Sequence, residues 1–517
     1  MEGSPDTYVK SPSEGAPGQD VVGKIETRGI DYIPEAERHS SPWNMFWILV
    51  GGEMTFGVIV TGWLPIAFGL GWWSAVSSIT VGLAVGSAVL ASMPLLGPQT
   101  GTNGAVSSGA HFGVRGRLLG SAIALFIALG FTALTIWTGG QAAVAGGHEL
   151  FGWPNSDGAF AVSYAIIAAV TITAAIFGHA SIVTLQKVMI PSAGLLLAIG
   201  FFTFLPDFNA SYAGGNYLLA GFWPTWALSF TVAASLPISY GPFVNDWSRY
   251  ISAKRWSRKS VMLGTGVGAF VGLWIALVFA AYTATMFSDV ATPYVEGLIG
   301  ISPTWYIAPI MVIGIVGSFG QGALGLNGTG LDFSSLFPRL TRVPATLLLS
   351  AIAVTFVYVG TFVWNAIDTV SAFVLILVVL TTPFCIICII GYWWRGCYYL
   401  PDDLQVFNRR ERGGAYWFTG GVNVRAVAAW LPAVIVGLLF LNTTLYVGPW
   451  ANAVGGIDMS WMSAGVISGI VYYALLRLLP EPDFVFAPRV RRRGREGVSL
   501  PMVIPPQTAM RDTRDDQ

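Results

Sequence analysis

Charge is scarce in this chain. Only 10% of its 517 residues are Asp, Glu, Lys or Arg, where soluble domains carry about 25%. A protein this poor in charge cannot present most of its surface to water, which excludes an ordinary soluble domain. Cysteine is rarer still. Cys385, Cys388 and Cys397 cannot build a disulfide framework. Cys385 and Cys388 are spaced C-x-x-C, but they lie inside the apolar run from Phe373 to Trp394 and read as packing. The four histidines (His39, His111, His148 and His179) fall at or beyond the edges of apolar segments and form no cluster. No catalytic residue and no metal site is therefore expected, and the chain does not read as a membrane enzyme. The Gly-rich stretch from Gly97 to Gly104 lacks the G-K-[ST] ending of a phosphate cradle. An ATP-driven pump is excluded with it. No basic stripe points to nucleic acid, and no cofactor is implied. Residues 1–40 have no apolar core, so they are not a cleaved signal peptide. They read as a disordered tail. The Arg-rich segment 481–517 reads as a second tail, able to touch anionic lipid.

Long apolar runs are abundant. A helix needs roughly 20 apolar residues to cross a bilayer. Twelve windows qualify, near 43–69, 72–96, 117–145, 160–178, 182–204, 223–245, 261–287, 305–328, 343–364, 370–394, 426–447 and 459–479. The expected fold is an all-α integral membrane domain over residues 41–480. Its loops alternate in charge. One set holds Arg115 and Arg117, then Arg249 to Lys259, then Arg339 and Arg342, then Arg395 to Arg425, and the tail from Arg489. The other set, near 146–159, 205–222, 288–304, 364–368 and 447–459, has no Lys or Arg. Basic loops stay in the cytoplasm during insertion. Both termini are thus expected there, in a multi-pass protein of the cell membrane whose partner is the lipid bilayer. A monomer is expected.

Two windows carry helix breakers in their middles. Span 1 contains Gly51-Gly52-Glu53-Met54-Thr55-Phe56-Gly57, and span 6 contains Ser235 to Pro242 with Pro237, Gly241 and Pro242. Gly costs about 1 kcal/mol in a helix interior and Pro about 3 kcal/mol. Backbone groups freed at membrane depth are tolerated only where they line a cavity. The breaks occupy matching places if spans 1–5 and 6–10 are inverted repeats, because an odd number of spans starts the second repeat from the other side. Paired broken helices are a transporter's mark.

The run Gly97-Pro98-Gln99-Thr100-Gly101-Thr102-Asn103, followed by His111 to Gly116, resembles the span 2–3 loop of nucleobase:cation symporter family 1, the purine-cytosine permease-like transporters. Similar stretches are Gly29 to Arg38, Gly130 to Gly140, Asn245 to Tyr250 and Asp332 to Leu336. The resemblance spans about residues 25–480. It implies about twelve transmembrane helices: two inverted five-helix repeats with broken helices 1 and 6, plus two peripheral helices. It also implies a symporter that imports a small planar nitrogen heterocycle by alternating access, cytosine or a purine base first. Uracil, allantoin, hydantoin, a vitamin ring or an amino acid is the alternative cargo.

By resemblance, Gly52 and Thr55 fall on cation-binding places and Phe56 on a substrate-binding one. Phe131 and Thr135 stand where many relatives have a stacking Trp and a Gln. A phenyl ring still stacks on a heterocycle, for about 0.5–1.5 kcal/mol, whereas Thr offers a hydroxyl in place of an amide. Pro237, Ser239 and Tyr240 of span 6 and Gln321 and Asn327 of span 8 complete the implied substrate set. Gln and Asn suit a nucleobase edge because each carries a donor and an acceptor. The coupling ion is H+ or Na+. Sodium-coupled relatives place two adjacent hydroxyl residues in span 8. Here only Ser318 is close, within Gly317-Ser318-Phe319-Gly320-Gln321. Glu53 lies in the span 1 break, and Lys187 is the one Lys or Arg well inside a span. Such charges line a pathway or pair. A carboxyl held between burial and a nearby ammonium can take up and release a proton, so proton coupling through Glu53 is expected. Asp246, Arg249 and Asp332 read as caps or parts of an inner gate.

Overall fold

A computed structural model of the protein describes residues 31–177, 179–219, 221–336, 342–409 and 411–486, except the side chains at 174, 176–189, 320–321, 323–325, 327–336, 342–343 and 345. The polar tails at 1–30 and 487–517 lie outside the described residues.

The described chain is helical and contains no named β-strand. Six helices are long and apolar enough to cross a membrane, and a seventh span is a pair, Pro42–Gly52 and Phe56–Ala67, bent by 74°. Shorter apolar stretches and the helix Phe222–Ser239 supply the rest. Twelve passages result, numbered here as spans. Span 1 is the bent pair (1a, Pro42–Gly52; 1b, Phe56–Ala67) and span 2 is Trp72–Ala91. Spans 3, 4 and 5 are Leu118–Phe151, Asp157–Phe177 and His179–Phe204. Span 6 is Phe222–Ser239, span 7 Arg258–Ala284, span 8 Thr304–Leu336 and span 9 Arg342–Phe362. Spans 10, 11 and 12 are Ala366–Trp394, Val424–Phe440 and Ser460–Leu478.

Local chemistry sets the ends. Ser41 caps span 1a by accepting the N–H of Asn44 at 3.1 Å, with Pro42 behind it at the first helical position. Ser257 and Asn365 cap spans 7 and 10 in the same way. Span 3 stops at Gly152, whose φ of 68° suits a residue without a Cβ.

The packing is twofold in character. Span 6 lies along span 2, and span 1a lies along span 7. Span 4 packs on span 8, and span 9 packs on span 3. Each pairing has its counterpart five helices on, as inverted repeats require. Spans 1, 2, 6 and 7 form one group and spans 3, 4, 8 and 9 another. Spans 11 and 12 pack on each other and on span 10. Their foot is pinned by Arg395, whose Nε and Nη2 donate to Glu481 at 2.8 Å and 2.6 Å, both side chains being fully buried. Asn423 donates to the same carboxylate at 3.1 Å.

Span 6 breaks later than its composition suggests. The helix runs through Pro237 to Ser239, and the turn Tyr240–Val244 follows before the single helical turn Asn245–Ser248. Pro237 forfeits one hydrogen bond without ending the helix. Pro242 disfavours helical geometry at Gly241, and the chain leaves the helix there.

Candidate functional site

The span 1 break centres on Glu53, the C-cap of span 1a. Its side chain is 1% exposed. Span 7 supplies the wall behind it. A Cβ at Gly272 would stand 2.8 Å from Val50 Cα and 3.1 Å from Glu53 Cγ. Gly268 meets Phe46 Cα at 2.9 Å and Gly264 meets the Pro42 carbonyl oxygen at 2.4 Å by the same measure. Contacts advance four residues at a time on both helices, so spans 1a and 7 run parallel with backbones touching along a glycine seam. The Tyr240 hydroxyl at the span 6 break faces the Glu53 carboxyl. The two do not close a well-formed bond, because neither Oε1 nor Oε2 has a partner at hydrogen-bonding geometry among the described residues. An ionised carboxylate buried in that state costs several kcal/mol. A bound cation would remove the cost.

Around Glu53 the break leaves further polar atoms unused. Thr55 is extended (φ −131°, ψ 144°), and its carbonyl oxygen starts span 1b by accepting the N–H groups of Val58 and Ile59 at 3.0 Å and 2.9 Å. Its hydroxyl is buried with no partner. A Cβ at Gly52 would meet nothing within 4 Å, and neither would one at Gly317 of span 8. Ser318 points elsewhere. Its hydroxyl donates to the Ile315 carbonyl at 2.6 Å, and its Oγ lies 2.4 Å from where a Cβ on Gly139 of span 3 would stand.

Span 1b is pressed into spans 3 and 8. Phe56 is buried, and its ring reaches Gly314 of span 8, where a Cβ would lie 3.4 Å from Cδ2. Gly57 sits on Thr135, with a Cβ there only 2.6 Å from the Thr135 methyl. The Thr135 hydroxyl donates to Thr132 O at 2.8 Å and lies 3.1 Å from the Cβ position of Gly322. Thr135 thus joins spans 1b, 3 and 8. Phe131, one turn below, is half-buried and stands edge-on to Phe373 of span 10 at 5.6 Å and 80°. Phe373 is a neighbour that composition could not single out among 31 phenylalanines.

Pro237 and Ser239 are buried in helix contacts. The Pro237 ring lies 2.6 Å from the Cβ position of Gly86 on span 2, and Ser239 donates to Leu236 O at 2.6 Å. Tyr240 stands among Phe243 and Trp247, with ring centroids at 5.5 Å and 5.9 Å. The structure therefore brings together Gly52, Glu53, Thr55 and Tyr240 at one break, and Phe56 with Thr135 beside it. The side chains of Lys187, Gln321, Asn327 and Asp332 lie outside the described residues.

The Gly97–Gly104 loop clamps the far end of span 6. Asn245 accepts the Gly97 N–H at 2.8 Å, and Asp246 accepts the Gly104 N–H at 2.8 Å. The chains approach so closely that a Cβ at Gly104 would lie 1.9 Å from the Pro242 carbonyl oxygen. Residues 31–40 close over the same loop. Ile33 N–H donates to Gly101 O at 2.8 Å, Arg38 Nη1 donates to Pro98 O at 2.9 Å, and Ser40 N–H donates to Tyr250 O at 2.9 Å. All this lies on the face with the Lys/Arg-rich loops. On the opposite face the short helix Tyr294–Gly300 docks between spans 7 and 3. The hydroxyls of Tyr294 and Thr283 bond at 3.0 Å, and Gln141 Nε2 donates to Glu296 at 3.1 Å. Burial pushes the Glu296 carboxyl up to about 7, against the pull of that hydrogen bond.

Residues 32–462 match the profile of a family described as permeases for cytosine/purines, uracil, thiamine and allantoin. YxlA of Bacillus subtilis (strain 168), a protein named as a purine-cytosine permease, is 26% identical over 485 residues, covering 91% of this chain and 98% of that one. Mhp1, a nucleobase-cation-symport-1 family transporter in a closed conformation with bromovinylhydantoin bound, superposes with a TM-score of 0.65 at 15% identity, over 90% of this chain and 98% of its own. The inward-facing conformation of Mhp1 gives 0.64 at 16% identity, over 91% and 98%. An outward-open, substrate-bound Na+-coupled sialic acid symporter gives 0.53 at 11% identity, over 86% and 92%.

Proposed function

The chain belongs to the family of permeases for cytosine/purines, uracil, thiamine and allantoin, and from that premise we propose that it imports cytosine or a purine base by proton symport through Glu53. The observation that carries the coupling step is the Glu53 carboxyl, buried at the span 1 break with neither oxygen in a well-formed hydrogen bond among the described residues. A proton taken up from one side makes the carboxyl neutral and lets the break close around it. Release on the other side restores the charge and reopens the path. Sodium is the poorer fit because Ser318 has no adjacent hydroxyl residue in span 8 and its Oγ is turned towards span 3.

The cargo fits the same region. A nucleobase is flat and neutral, with donors and acceptors at its rim. Phe56 and Phe131 offer aromatic faces, and Thr55, Thr135 and Tyr240 offer hydroxyls. The basic loops support an orientation in which the Gly97–Gly104 clamp faces the cytoplasm of a cell-membrane protein and the Tyr294–Gly300 helix faces outward.

The test is uptake of radiolabelled cytosine, hypoxanthine, uracil and allantoin into proteoliposomes under separate proton and sodium gradients. Accumulation of cytosine or hypoxanthine under the proton gradient alone is expected. Glu53→Gln should keep base exchange across the membrane and lose proton-driven accumulation. Accumulation that persists in Glu53→Gln with unchanged pH dependence would remove Glu53 from the mechanism. Uptake driven by sodium alone would return the coupling to Gly52, Thr55 and Ser318.

A further inference from the structure

We propose that the cleft between residues 35–39 and 252–255 binds the phosphate headgroup of an anionic glycerophospholipid. The cleft has a volume of about 450 Å³ and is lined by Glu35, Arg38, His39, Ser252, Lys254 and Arg255 among others. Its one acid is already engaged. Glu35 takes Arg38 Nη1 on Oε2 at 2.9 Å and the Ser252 hydroxyl on Oε1. Arg38 is equally committed, donating also to Ile33 O and Pro98 O, each at 2.9 Å. Lys254 and Arg255 are exposed, and neither forms an ion pair among the described residues. His39 is exposed beside them, and Arg258 and Lys259 follow at the start of span 7. The cleft therefore presents Lys254 and Arg255, two cationic groups with no ion pair among the described residues.

Its position selects a lipid over a free anion. Residues 35–39 run straight into the Ser41 cap of span 1a, and residues 252–255 run into the Ser257 cap of span 7. The two helices are joined by the glycine seam, so the cleft opens where both of them meet the bilayer. Large apolar side chains flank it on the outside: Trp43 is 62% exposed, Trp256 37% and Leu263 64%. Tryptophan settles at the headgroup level of a membrane. A phosphate would meet Lys254 and Arg255 while an acyl chain lay along Leu263 and Val267 of span 7. Free phosphate would use only half of this surface. One wall of the cleft belongs to the residue 31–40 closure and the other to the segment before span 7, joined at the Ser40–Ile251 bridge, so an occupant spans both and holds that closure shut.

The chain is reconstituted in nanodiscs of phosphatidylcholine containing about one-third phosphatidylglycerol, and lipid retained on the purified protein is counted by native mass spectrometry. Each Lys or Arg near an anionic surface changes affinity about fivefold, so Lys254→Gln/Arg255→Gln should weaken phosphatidylglycerol retention roughly 5- to 30-fold. Lys254→Arg/Arg255→Lys should retain it. Arg409→Gln/Arg412→Gln, which removes the same charge from the same face away from the cleft, should leave retention unchanged. Both substituted pairs are exposed side chains, and a melting curve checks that each of the three variants folds. Equal loss in the Arg409/Arg412 variant would mean general charge attraction and overturn the site. Equal retention in all variants would overturn it as well. Protection of the lipid-free protein by inorganic phosphate to the same degree as by phosphatidylglycerol would make it a free-anion site and refute the lipid assignment. None of these outcomes depends on which base is transported or which ion drives it.

Discussion

Replacing Gly104 by alanine tests the clamp between the Gly97–Gly104 loop and span 6. The added methyl would stand 1.9 Å from the Pro242 carbonyl oxygen, 2.9 Å from its carbonyl carbon and 3.1 Å from Phe243 Cα. All three are backbone atoms and cannot rotate away. To reach ordinary contact at 3.4 Å the loop must withdraw by about 1.5 Å. That movement breaks the 2.8 Å bond from the Gly104 N–H to Asp246. Overpacking costs about 1–3 kcal/mol, and a hydrogen bond to a charged group is worth about 1.5–3 kcal/mol. The two losses overlap, so about 3–5 kcal/mol is expected. Gly109→Ala is the control. Five residues on, its methyl would lie 3.6 Å from Arg117 Cδ, at ordinary contact, and inside a helical turn. Its effect should stay within about 0.5 kcal/mol. Thermal unfolding in detergent, followed by tryptophan fluorescence, compares the two. Melting of Gly104→Ala together with Gly109→Ala would show that the loop is not held against Pro242, and the clamp would fall.

Glu481→Gln leaves the fully buried Arg395 guanidinium without its counter-charge, and a loss of about 3–5 kcal/mol in unfolding free energy is expected from chemical denaturation in detergent. Gly268→Ala places a methyl 2.9 Å from Phe46 Cα and should cost about 1–3 kcal/mol with slower uptake, whereas Gly194→Ala in span 5, where a methyl meets nothing within 4 Å, should do neither. Glu296 is raised by burial from 4.5 to about 7. The docked state therefore holds a proton that the undocked state has lost, and docking is strongest below about 4.5 and weakens as pH rises through about 7. Hydrogen exchange over 294–300, corrected for intrinsic rates, should show less protection at about pH 8 than at about pH 6. Glu296→Gln should remove the difference, and a difference that survives it would assign the effect to another group.

The architecture was largely legible because bilayer crossing imposes a crude requirement of length and hydropathy. All twelve windows rested on that signal, although among the described residues only six helices and the bent pair are both long and apolar enough. Span 6 shows its limit. Pro237 reads as a breaker, yet the helix carries it, since one missing hydrogen bond is tolerated where the ring can lie against Gly86. The bent span 1 was legible for a sharper reason: Gly51 and Gly52 adjoin the one acid of that span, and glycine pairs and acids are both costly there. Side-chain aim was not legible. Ser318 sits at a plausible sequence position but turns to Gly139, and Tyr240 faces Glu53, while the Lys187 side chain lies outside the described residues. The direction of a side chain is set by helix rotation, which one sequence does not encode locally. The span 7 glycines at 264, 268 and 272 were visible as a four-residue repeat, but their partner across the seam was not.

That seam makes a single rod of two helices. No span 7 side chain stands between the backbones at its three glycines, so span 1a has no ratchet of knobs to slip past there. It turns with span 7 or not at all. The rod runs from the Ser41 cap to Glu53, about 18 Å at 1.5 Å per residue. Its lower end is fastened to the residue 31–40 closure, and its upper end carries the carboxyl. Under the proposed coupling, protonation at one end and opening at the other are two displacements of one lever. A change that stiffens the closure should be felt as a change in how readily Glu53 exchanges its proton, with no residue between them needing to move relative to its neighbours.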